Sequence, residues 1–386
     1  MIKRLLSVHK DIFGVVIIVL CLIGVKEMSA QGLEIQDLFV GGENGYHTYR
    51  IPSIIVTPSG AVLAFCEGRK NGGGDAGKID LLMKRSEDGG KTWTEQTIVW
   101  DDGINTCGNP CPVVDEETGT IWMFLTWNLG GDHEKQIHLG TSTDTRRVFL
   151  TSSTDDGKTW VKPVDLTNEL KPSTWRWYAT GPGVGIQVKN GQYKGRMVIP
   201  CDYSEVESDG KTRYGGSHVV YSDDHGKTWL LGGTMYPKMN ECQVVELSDG
   251  SLLMNSRSSK CGTRAFAWST DGGITWPKIE YNTPLPDPVC QASTLRIRTG
   301  EEKQPYAILF SNAADSKERI KMTIQISYDD CKTWPLKKVV YPGPSAYSCL
   351  TQLNDGMVLC MFESWVRKRY AKIRVARFPL ALLGEK

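Results

Sequence analysis

The side chains that first suggest chemistry are of the types that bind metals. His133 and His138 lie five residues apart in a polar loop, and Asp-Asp pairs occur at 155–156 and 329–330. The aspartates lack the twelve-residue ligand spacing and the terminal glutamate of a calcium-binding EF-hand. No Cys-x-x-Cys pair is followed by a second at zinc-ligand spacing. We therefore predict no metal and interpret these residues as parts of loops and turns.

The composition indicates a β-rich globular protein. Of the 386 residues, 40% are hydrophobic and 23% are charged, which excludes disorder, collagen and coiled coil. The 45 basic and 44 acidic side chains leave a formal net charge of +1, so no global basic field would recruit nucleic acid. The 40 glycines and 12 tryptophans are unusually many, as expected for a fold with many turns and aromatic plugs.

Residues 1–30 have the features of a secretory signal peptide. Basic residues precede an apolar run at 12–25, and small residues follow it at 29–30. This 14-residue run is short for a membrane span, and an uncleaved anchor is the alternative. Cleavage near Ala30 would give a secreted or periplasmic chain, 31–386, without stable membrane insertion. That chain would carry a net charge of −1 and ten of the eleven cysteines, an even number that permits disulfides.

The pattern Ser-x-Asp-x-Gly-x-Thr-Trp organises the sequence. Aspartate accepts hydrogen bonds from N–H groups ahead of it, glycine supplies a positive φ, and tryptophan fills the gap between neighbouring elements. A strand-like run precedes each copy, so the pattern predicts a turn between two strands. Cys331 replaces the glycine of the last copy, which puts the conformation of that turn in question. The five copies are SEDGGKTW (86–93), STDDGKTW (153–160), SDDHGKTW (222–229), STDGGITW (269–276) and SYDDCKTW (327–334).

The spacing of these copies predicts the architecture. Successive copies start 67, 69, 47 and 58 residues apart, with further strand-like runs between them. Repeats of this length with several short strands are typical of a β-propeller. A mean repeat of roughly 60 residues divides the mature chain into about six blades, the sixth being closed by the last strands pairing with the first. We predict an all-β fold, a six-bladed β-propeller of four-stranded antiparallel blades, as one domain over residues 31–386.

The repeated turn is the Asp-box, and an Arg-Ile-Pro motif in YRIPSI (49–54) precedes the first blade. Together they resemble the sialidase (neuraminidase) family over residues 37–380, and most of all the compact exo-sialidases of bacteria and animals that have no added lectin domain. The resemblance implies a catalytic propeller acting on sialylated glycoproteins, glycolipids and oligosaccharides. It implies no cofactor, and nothing in the sequence demands an oligomer, so a monomer is expected.

The resemblance implies a carboxylate-binding site. Arg50 of the Arg-Ile-Pro motif, Arg257 in LLMNSR and Arg319 in SKERIKMTI match the three family arginines that bind the sialic acid carboxylate. A guanidinium is always charged and presents a planar fork to a carboxylate. Glu363, in MFES, matches the glutamate that orients the first arginine. Arg69, in EGRK, matches a further family arginine near the general acid.

The resemblance also implies the reacting groups. Asp75, in the glycine-rich NGGGDAG, matches the general acid and base; Asp80 is the rival but lies in a strand-like run. Tyr347, in PSAYSCL, matches the nucleophile, and Glu241, in NECQVVEL, matches the glutamate that takes its proton. Only the family pairs Tyr347 with Glu241, because 106 residues separate them. A neutral phenol suits an anomeric carbon that bears a carboxylate, which would repel an Asp or Glu nucleophile.

The predicted activity is that of a retaining exo-α-sialidase that works through a covalent tyrosyl intermediate. Two alternatives remain: a trans-sialidase or intramolecular trans-sialidase with the same site, and a non-catalytic sialoglycan-binding propeller. Four aromatic residues are candidates for stacking on sugars at the pocket rim, with the hydrophobic core as the alternative: Trp127, Trp175, Trp177 and Tyr178.

Overall fold

Strands make up most of the chain that the structure, a computed structural model, describes: residues 27–28, 32–206, 213–259, 262–281 and 283–384. The predicted signal peptide lies outside these residues apart from the backbone of β1, which pairs antiparallel with β2. The described helices are α1 (Glu134–Leu139), α2 (Thr167–Leu170) and a 3₁₀ helix at Leu380–Gly384, and none of them is long and apolar enough to cross a membrane. The strands are β1 (Glu27–Met28), β2 (Glu34–Val40), β3 (Thr48–Val56), β4 (Val62–Arg69), β5 (Ile79–Ser86), β6 (Thr97–Trp100), β7 (Thr106–Val114), β8 (Ile121–Asn128), β9 (Arg147–Ser153), β10 (Val164–Asp165), β11 (Trp175–Thr180), β12 (Ile186–Gln187), β13 (Met197–Val206), β14 (Arg213–Ser222), β15 (Leu230–Met235), β16 (Met239–Glu246), β17 (Leu252–Ser258), β18 (Ala265–Ser269), β19 (Lys278–Glu280), β20 (Ser293–Arg298), β21 (Tyr306–Ala313), β22 (Ile320–Ser327), β23 (Leu336–Gln352), β24 (Val358–Ser364) and β25 (Lys372–Phe378).

Within the described residues, the strand pairings define six antiparallel blades. Successive blades contact one another, mostly through their inner strands, and the third and fourth blades through β13 and β16. β23 of the last blade contacts β3 of the first, so the blades close into a ring. The predicted six-bladed β-propeller is confirmed. From the inner to the outer strand, the blades are β3-β4-β5-β6, β7-β8-β9-β10, β11/β12-β13-β14-β15, β16-β17-β18-β19, β20-β21-β22-β23 and β23-β24-β25-β2.

Strands from both ends of the chain close the ring. β2 pairs with β25, so an N-terminal strand completes the sixth blade, as predicted. β23 is shared between two blades: its first part pairs with β22, and its second part pairs with β24 from Ser345 onward. The position of Tyr347, which lies in this second part, therefore depends on how the fifth and sixth blades join.

Burial decreases from the inner to the outer strands of the first blade. Every residue of β4 is buried, whereas β6 is exposed or half-buried along its length. Strands covered on both faces need nearly continuous apolar residues, as in the VLAFC segment of β4. Glu67 and Arg69, at the end of β4, are buried charges and therefore need partners.

The five repeated motifs all form turns between the third and fourth strands of their blades. In the second copy, Asp155 accepts hydrogen bonds from the N–H and hydroxyl of Thr159 at 2.9 and 2.6 Å, and the Ser153 hydroxyl accepts one from the N–H of Gly157 at 2.9 Å. The same bonds recur in the other copies. Cys331 adopts a φ of 66°, so the fifth turn keeps its conformation without glycine.

The cysteines of the described residues are buried and free. Cys261 lies outside the part that the structure describes. The disulfides that an even number of cysteines permits are therefore absent among the described cysteines, and buried apolar residues supply the core of the propeller instead. These cysteines are Cys66, Cys107, Cys111, Cys201, Cys242, Cys290, Cys331, Cys349 and Cys360.

Candidate active site

The eight candidate residues meet at one end of the propeller. They lie near the start of an innermost strand, near the end of the strand paired with it, or in the adjoining connections, and antiparallel pairing brings these positions to one edge. Arg50, for example, is the third residue of β3 and lies opposite Glu67 near the end of β4. The repeated turns connect the other ends of the strands. The two ends of the propeller therefore differ in role, since the turns occupy one and the charged cluster the other.

Glu363 is a fully buried carboxylate that orients Arg50. Its two oxygens accept hydrogen bonds from Arg50 Nε and Nη2 at 2.9 and 3.2 Å. The backbone N–H of Ile51 donates to it at 3.0 Å, and that of Tyr347 at 3.4 Å. Because this pairing uses Nε and Nη2, the third nitrogen, Nη1, faces the pocket and lies 3.6 Å from Asp75 Oδ1.

Ile51 has a strained backbone directly after Arg50. Its φ of 62° lies in the left-handed region, which β-branched residues rarely adopt. Such strain costs roughly 1–3 kcal/mol and persists where the surroundings over-determine the conformation. Here the hydrogen bond to Glu363 and packing against Ala346 and Tyr347 hold the residue in place. Glu363 therefore holds both the Ile51 backbone and the Arg50 guanidinium.

Tyr347 and Glu241 form the shortest contact of the site. The Tyr347 hydroxyl donates to Glu241 Oε1 at 2.5 Å, and Arg257 Nη1 lies 2.6 Å from Glu241 Oε2 and 3.1 Å from the Tyr347 oxygen. Burial raises the pKa of the Tyr347 phenol well above its ordinary value; the charge of Glu241 adds to this rise, and the nearby arginines oppose it. The phenol is therefore neutral, with its proton directed at a carboxylate.

Arg319 completes the cluster of arginines around Tyr347. The guanidiniums of Arg50 and Arg319 lie 4.8 and 5.7 Å from the centre of the Tyr347 ring. Arg319 Nη1 donates to the hydroxyl of Tyr370 at 3.1 Å, and Arg50 lies 4.0 Å from the centre of the Tyr370 ring. Sequence reasoning missed Tyr370, because nothing in its local sequence indicates that it would reach two arginines from different blades.

Asp75 lies at the mouth of the site. Its side chain is 48% exposed, and Arg69 Nη1 lies 2.8 Å from its Oδ1. Glu67 Oε2 in turn accepts hydrogen bonds from Arg69 Nε and Nη2 at 2.9 and 2.6 Å. Burial raises the Asp75 pKa, but the charges of Arg69 and Arg50 outweigh this effect and hold it below its ordinary value. In the site as it stands, Asp75 is a carboxylate held by two guanidiniums.

Asp80, the alternative to Asp75 as the general acid, and two of the four candidate rim aromatics are buried away from the arginine cluster. Asp80 is buried in β5 and accepts a hydrogen bond from the Tyr46 hydroxyl at 2.7 Å. Trp175 and Tyr178 belong to a hydrophobic core cluster, so the core alternative is the correct one for both. Trp127 Nε1 donates to an exposed aspartate, Asp102. Trp177 lies beneath the guanidinium of Arg146, 4.1 Å from the ring centre.

The two histidines have roles in local structure. His133 is the N-cap residue of α1, and His138 lies in the last turn of that helix. His138 Nδ1 lies 2.6 Å from the Ser204 hydroxyl, and its Nε2 lies 3.1 Å from Glu134 Oε1. Within the described ranges, no group of three or more histidine, cysteine, aspartate and glutamate side chains is placed to hold a metal ion.

Asp202 is a second residue that sequence reasoning missed. It is buried in β13, and its Oδ1 accepts a hydrogen bond from Asn240 Nδ2 at 3.3 Å. Burial raises its pKa well above the ordinary value, and the charge of Glu241 adds to this rise. Burial and the charge of Glu241 therefore both favour the protonated form of Asp202. Only the packing of two blades brings Asp202 within the influence of that charge, which the sequence pattern does not reveal.

The fold and the site together define a class of protein: a six-bladed β-propeller that presents three arginines around a tyrosine–glutamate pair at one end. A family model described as a BNR repeat-like domain matches residues 60–360. The chain is 37% identical over 366 residues to a sialidase of Micromonospora viridifaciens, covering 90% of this chain and 54% of that protein. It therefore spans little more than half the length of this relative.

Two solved structures share the fold. The Hadza microbial sialidase Hz136 superposes with a TM-score of 0.79 at 30% identity, over 89% of this chain and 68% of that one. The intramolecular trans-sialidase of Ruminococcus gnavus shares the fold with a TM-score of 0.75 at 21% identity, over 91% of this chain and 98% of that one. The chain belongs to the sialidase family.

Replacing Glu363 by glutamine is expected to destabilise the fold. The amide keeps the size of the side chain but leaves the buried Arg50 charge without its main partner, which costs about 3 kcal/mol of unfolding free energy. Denaturant unfolding measures this difference. Glu280→Gln is the matched control, since Glu280 pairs with Lys278 on the surface and its loss should cost under about 1 kcal/mol. Equal stability of the Glu363 variant and the wild type would contradict the assigned role.

Proposed function

We propose that this protein is a retaining exo-α-sialidase that removes terminal sialic acids from glycoconjugates through a covalent tyrosyl intermediate. The observation that carries the proposal is the neutral Tyr347, 2.5 Å from a carboxylate and surrounded by three arginines. The substrate class follows from the charge of this cluster, because three guanidiniums favour an anionic sugar. The apolar run at 12–25 supports export to the periplasm or the outside of the cell.

The arginines would bind the substrate carboxylate and so place the anomeric carbon. Glu363 and Glu241 each pair with one guanidinium, which leaves positive charge for a third anion. The carboxylate is attached to the anomeric carbon, so binding it brings that carbon close to the Tyr347 oxygen. Orientation of this kind supplies much of the rate enhancement in enzymes, because the reacting atoms are held in line before reaction.

The first chemical step would transfer sialic acid to Tyr347. The Tyr347 oxygen bonds to the anomeric carbon as the glycosidic C–O bond breaks. The phenolic proton passes to Glu241 Oε1, and the proton of Asp75 passes to the departing oxygen. In the second step Asp75 takes a proton from water, and the water oxygen bonds to the anomeric carbon as the bond between that carbon and the Tyr347 oxygen breaks. Tyr347 then recovers its proton from Glu241. Two displacements at one carbon give net retention.

Substrate binding would also prepare Asp75 as an acid. In the empty site, two guanidiniums lower its pKa, which disfavours the protonated form that the first step needs. The substrate carboxylate brings a negative charge to the same arginines, and the resulting loss of positive field raises the Asp75 pKa. The protonated form of Asp75, which the first step needs, is therefore favoured when the substrate is bound.

Hydrolysis of 4-methylumbelliferyl α-sialoside by the full chain tests this proposal. Proton NMR of the first product should detect the α anomer of sialic acid, which later equilibrates. Initial release of the β anomer would contradict the tyrosyl intermediate, and an inactive, folded wild type would indicate a binding protein. The trans-sialidase alternative predicts a sialylated galactoside as the main product when a galactoside acceptor is added.

A further inference from the structure

A short basic segment at the rim of the site is not used by the proposed mechanism. Residues 365–371 connect β24 to β25, and they include Arg367, Lys368 and Arg369 in succession. All three of these side chains are exposed, as is Val366, at 79%. We call residues 365–370 the basic loop. The chain as a whole has a formal net charge of only +1, so this is a local concentration of positive charge.

The basic loop is attached to the arginine cluster through Tyr370. The ring of Tyr370 lies 4.0 Å from the Arg50 guanidinium and 4.8 Å from that of Arg369, and its hydroxyl accepts a hydrogen bond from Arg319 at 3.1 Å. Arg369 therefore contacts the same ring as Arg50. Lys368 Nζ lies 3.2 Å from His47 Nε2, next to the start of β3. The positive charges are consequently at the mouth of the site, not elsewhere on the propeller.

The loop cations have no counter-charge in the described part of the chain. No described aspartate or glutamate lies within ion-pair distance of Arg367, Lys368 or Arg369, although other surface cations, such as Lys372, have one. Adjacent like charges repel one another, and an anion from outside relieves that repulsion. The loop thus has the charge to receive an anionic group from a ligand.

The leaving part of a substrate would pass this loop. In a sialoside, one carbon bears both the carboxylate and the glycosidic oxygen. The carboxylate would lie on the arginines, and the glycosidic oxygen near Asp75, whose Oδ1 is 3.6 Å from Arg50 Nη1. The Arg50 guanidinium contacts both Asp75 and the ring of Tyr370, so the acid and the basic loop are neighbours around Arg50. We therefore expect the rest of the glycan to leave the pocket on this side.

We propose that the basic loop is a second anion subsite, which makes the enzyme prefer sialosides whose leaving group is itself anionic, through a second sialic acid or a sulfate. This inference rests on the proposed sialidase function. Contacts between exposed charges are individually weak, but two acting on the same group change specificity measurably. The loop would act on ground-state binding of the leaving group and not on bond breaking.

The test compares kcat/KM for release of the terminal sialic acid from α2,8-disialyl lactose, a sulfated sialyl lactose and plain sialyl lactose. The variant is Arg367→Gln with Lys368→Gln, which leaves the Arg369–Tyr370 contact intact. The ratio of anionic to plain substrate should fall about fivefold, mainly through KM, and added salt should lower the wild-type ratio in the same direction. The control is Lys91→Gln with Lys158→Gln, which removes two exposed charges from turns at the other end of the propeller and should leave the ratio unchanged.

The results on the three substrates either support or overturn the second anion subsite. A fall for the disialyl substrate alone identifies a sialic acid as the second anion, and a fall for the sulfated substrate alone identifies a sulfate; either supports the subsite. An unchanged ratio, or an equal loss on all three substrates, overturns it. If the folded wild type cleaves none of the substrates, the proposed function itself is wrong.

Discussion

Tyr347→Phe is expected to lower kcat by about a thousandfold or more while leaving KM nearly unchanged. The substitution removes one oxygen atom, which is the proposed nucleophile, and losses of this size are typical when a nucleophile is deleted. The three arginines remain, so binding of the substrate carboxylate should persist. Glu241 and Arg257 keep their 2.6 Å contact, which preserves the local structure. Initial rates on 4-methylumbelliferyl α-sialoside and on sialyl lactose measure the effect.

Tyr221→Phe is the matched control for this variant. Tyr221 has a guanidinium, that of Arg196, 4.2 Å from its ring centre, and so shares the cation–ring packing of Tyr347 without its contact to a carboxylate. Its activity should stay within about twofold of the wild type, since it is far from the reacting groups. Full activity of Tyr347→Phe would contradict the covalent tyrosyl mechanism and would leave Glu241 or water as the attacking group.

Asp75→Ala should lose more activity on substrates whose leaving group departs less readily without protonation. Lactose leaves poorly without a proton, so kcat on sialyl lactose should fall by about a hundredfold to ten-thousandfold, the usual contribution of a general acid. 4-Methylumbelliferone leaves readily without a proton, so its sialoside should be much less affected in the first step. Comparing the two substrates separates a proton donor from a residue that only binds.

Asp101→Ala controls for the loss of an exposed loop carboxylate. Its side chain is 37% exposed and lies 3.5 Å from Lys78 Nζ, which resembles the pairing of Asp75 with a cation. Both substrates should be cleaved at the wild-type rate by this variant. An equal loss on both substrates in Asp75→Ala would show that Asp75 holds the arginines or the substrate and is not the acid.

Features that depend on a few neighbouring residues were accessible from the sequence. In each repeated turn, the bonds among serine, aspartate, glycine and threonine span at most four positions. Even the replacement of glycine by Cys331 leaves that turn intact, because the surrounding hydrogen bonds outweigh the strain of its positive φ. The number of blades and the closing strand followed from the spacing of these turns.

The candidate site residues came from the family resemblance and not from the local pattern. Arg50 and Glu363 are 313 positions apart, and Tyr347 and Glu241 are 106 apart, so no periodicity in the sequence connects them. The sequence also does not distinguish aromatic residues of the core from those that contact charged groups. Trp175 and Trp177 are two residues apart in one strand, yet Trp175 packs in the core and Trp177 lies beneath Arg146.

What the sequence determined by itself is the repeated turn, the alternation of strands and hence the propeller, because these depend on short-range hydrogen bonds and burial. Only the tertiary structure decided how the ends of the strands meet. The packing of the blades brings Tyr370 against Arg50 and Arg319, brings Asp202 within the electrostatic influence of Glu241, and sets the basic loop at the mouth of the site. The physical reason is that these contacts join different blades, and packing and charge pairing across a closed ring act between positions that are remote along the chain.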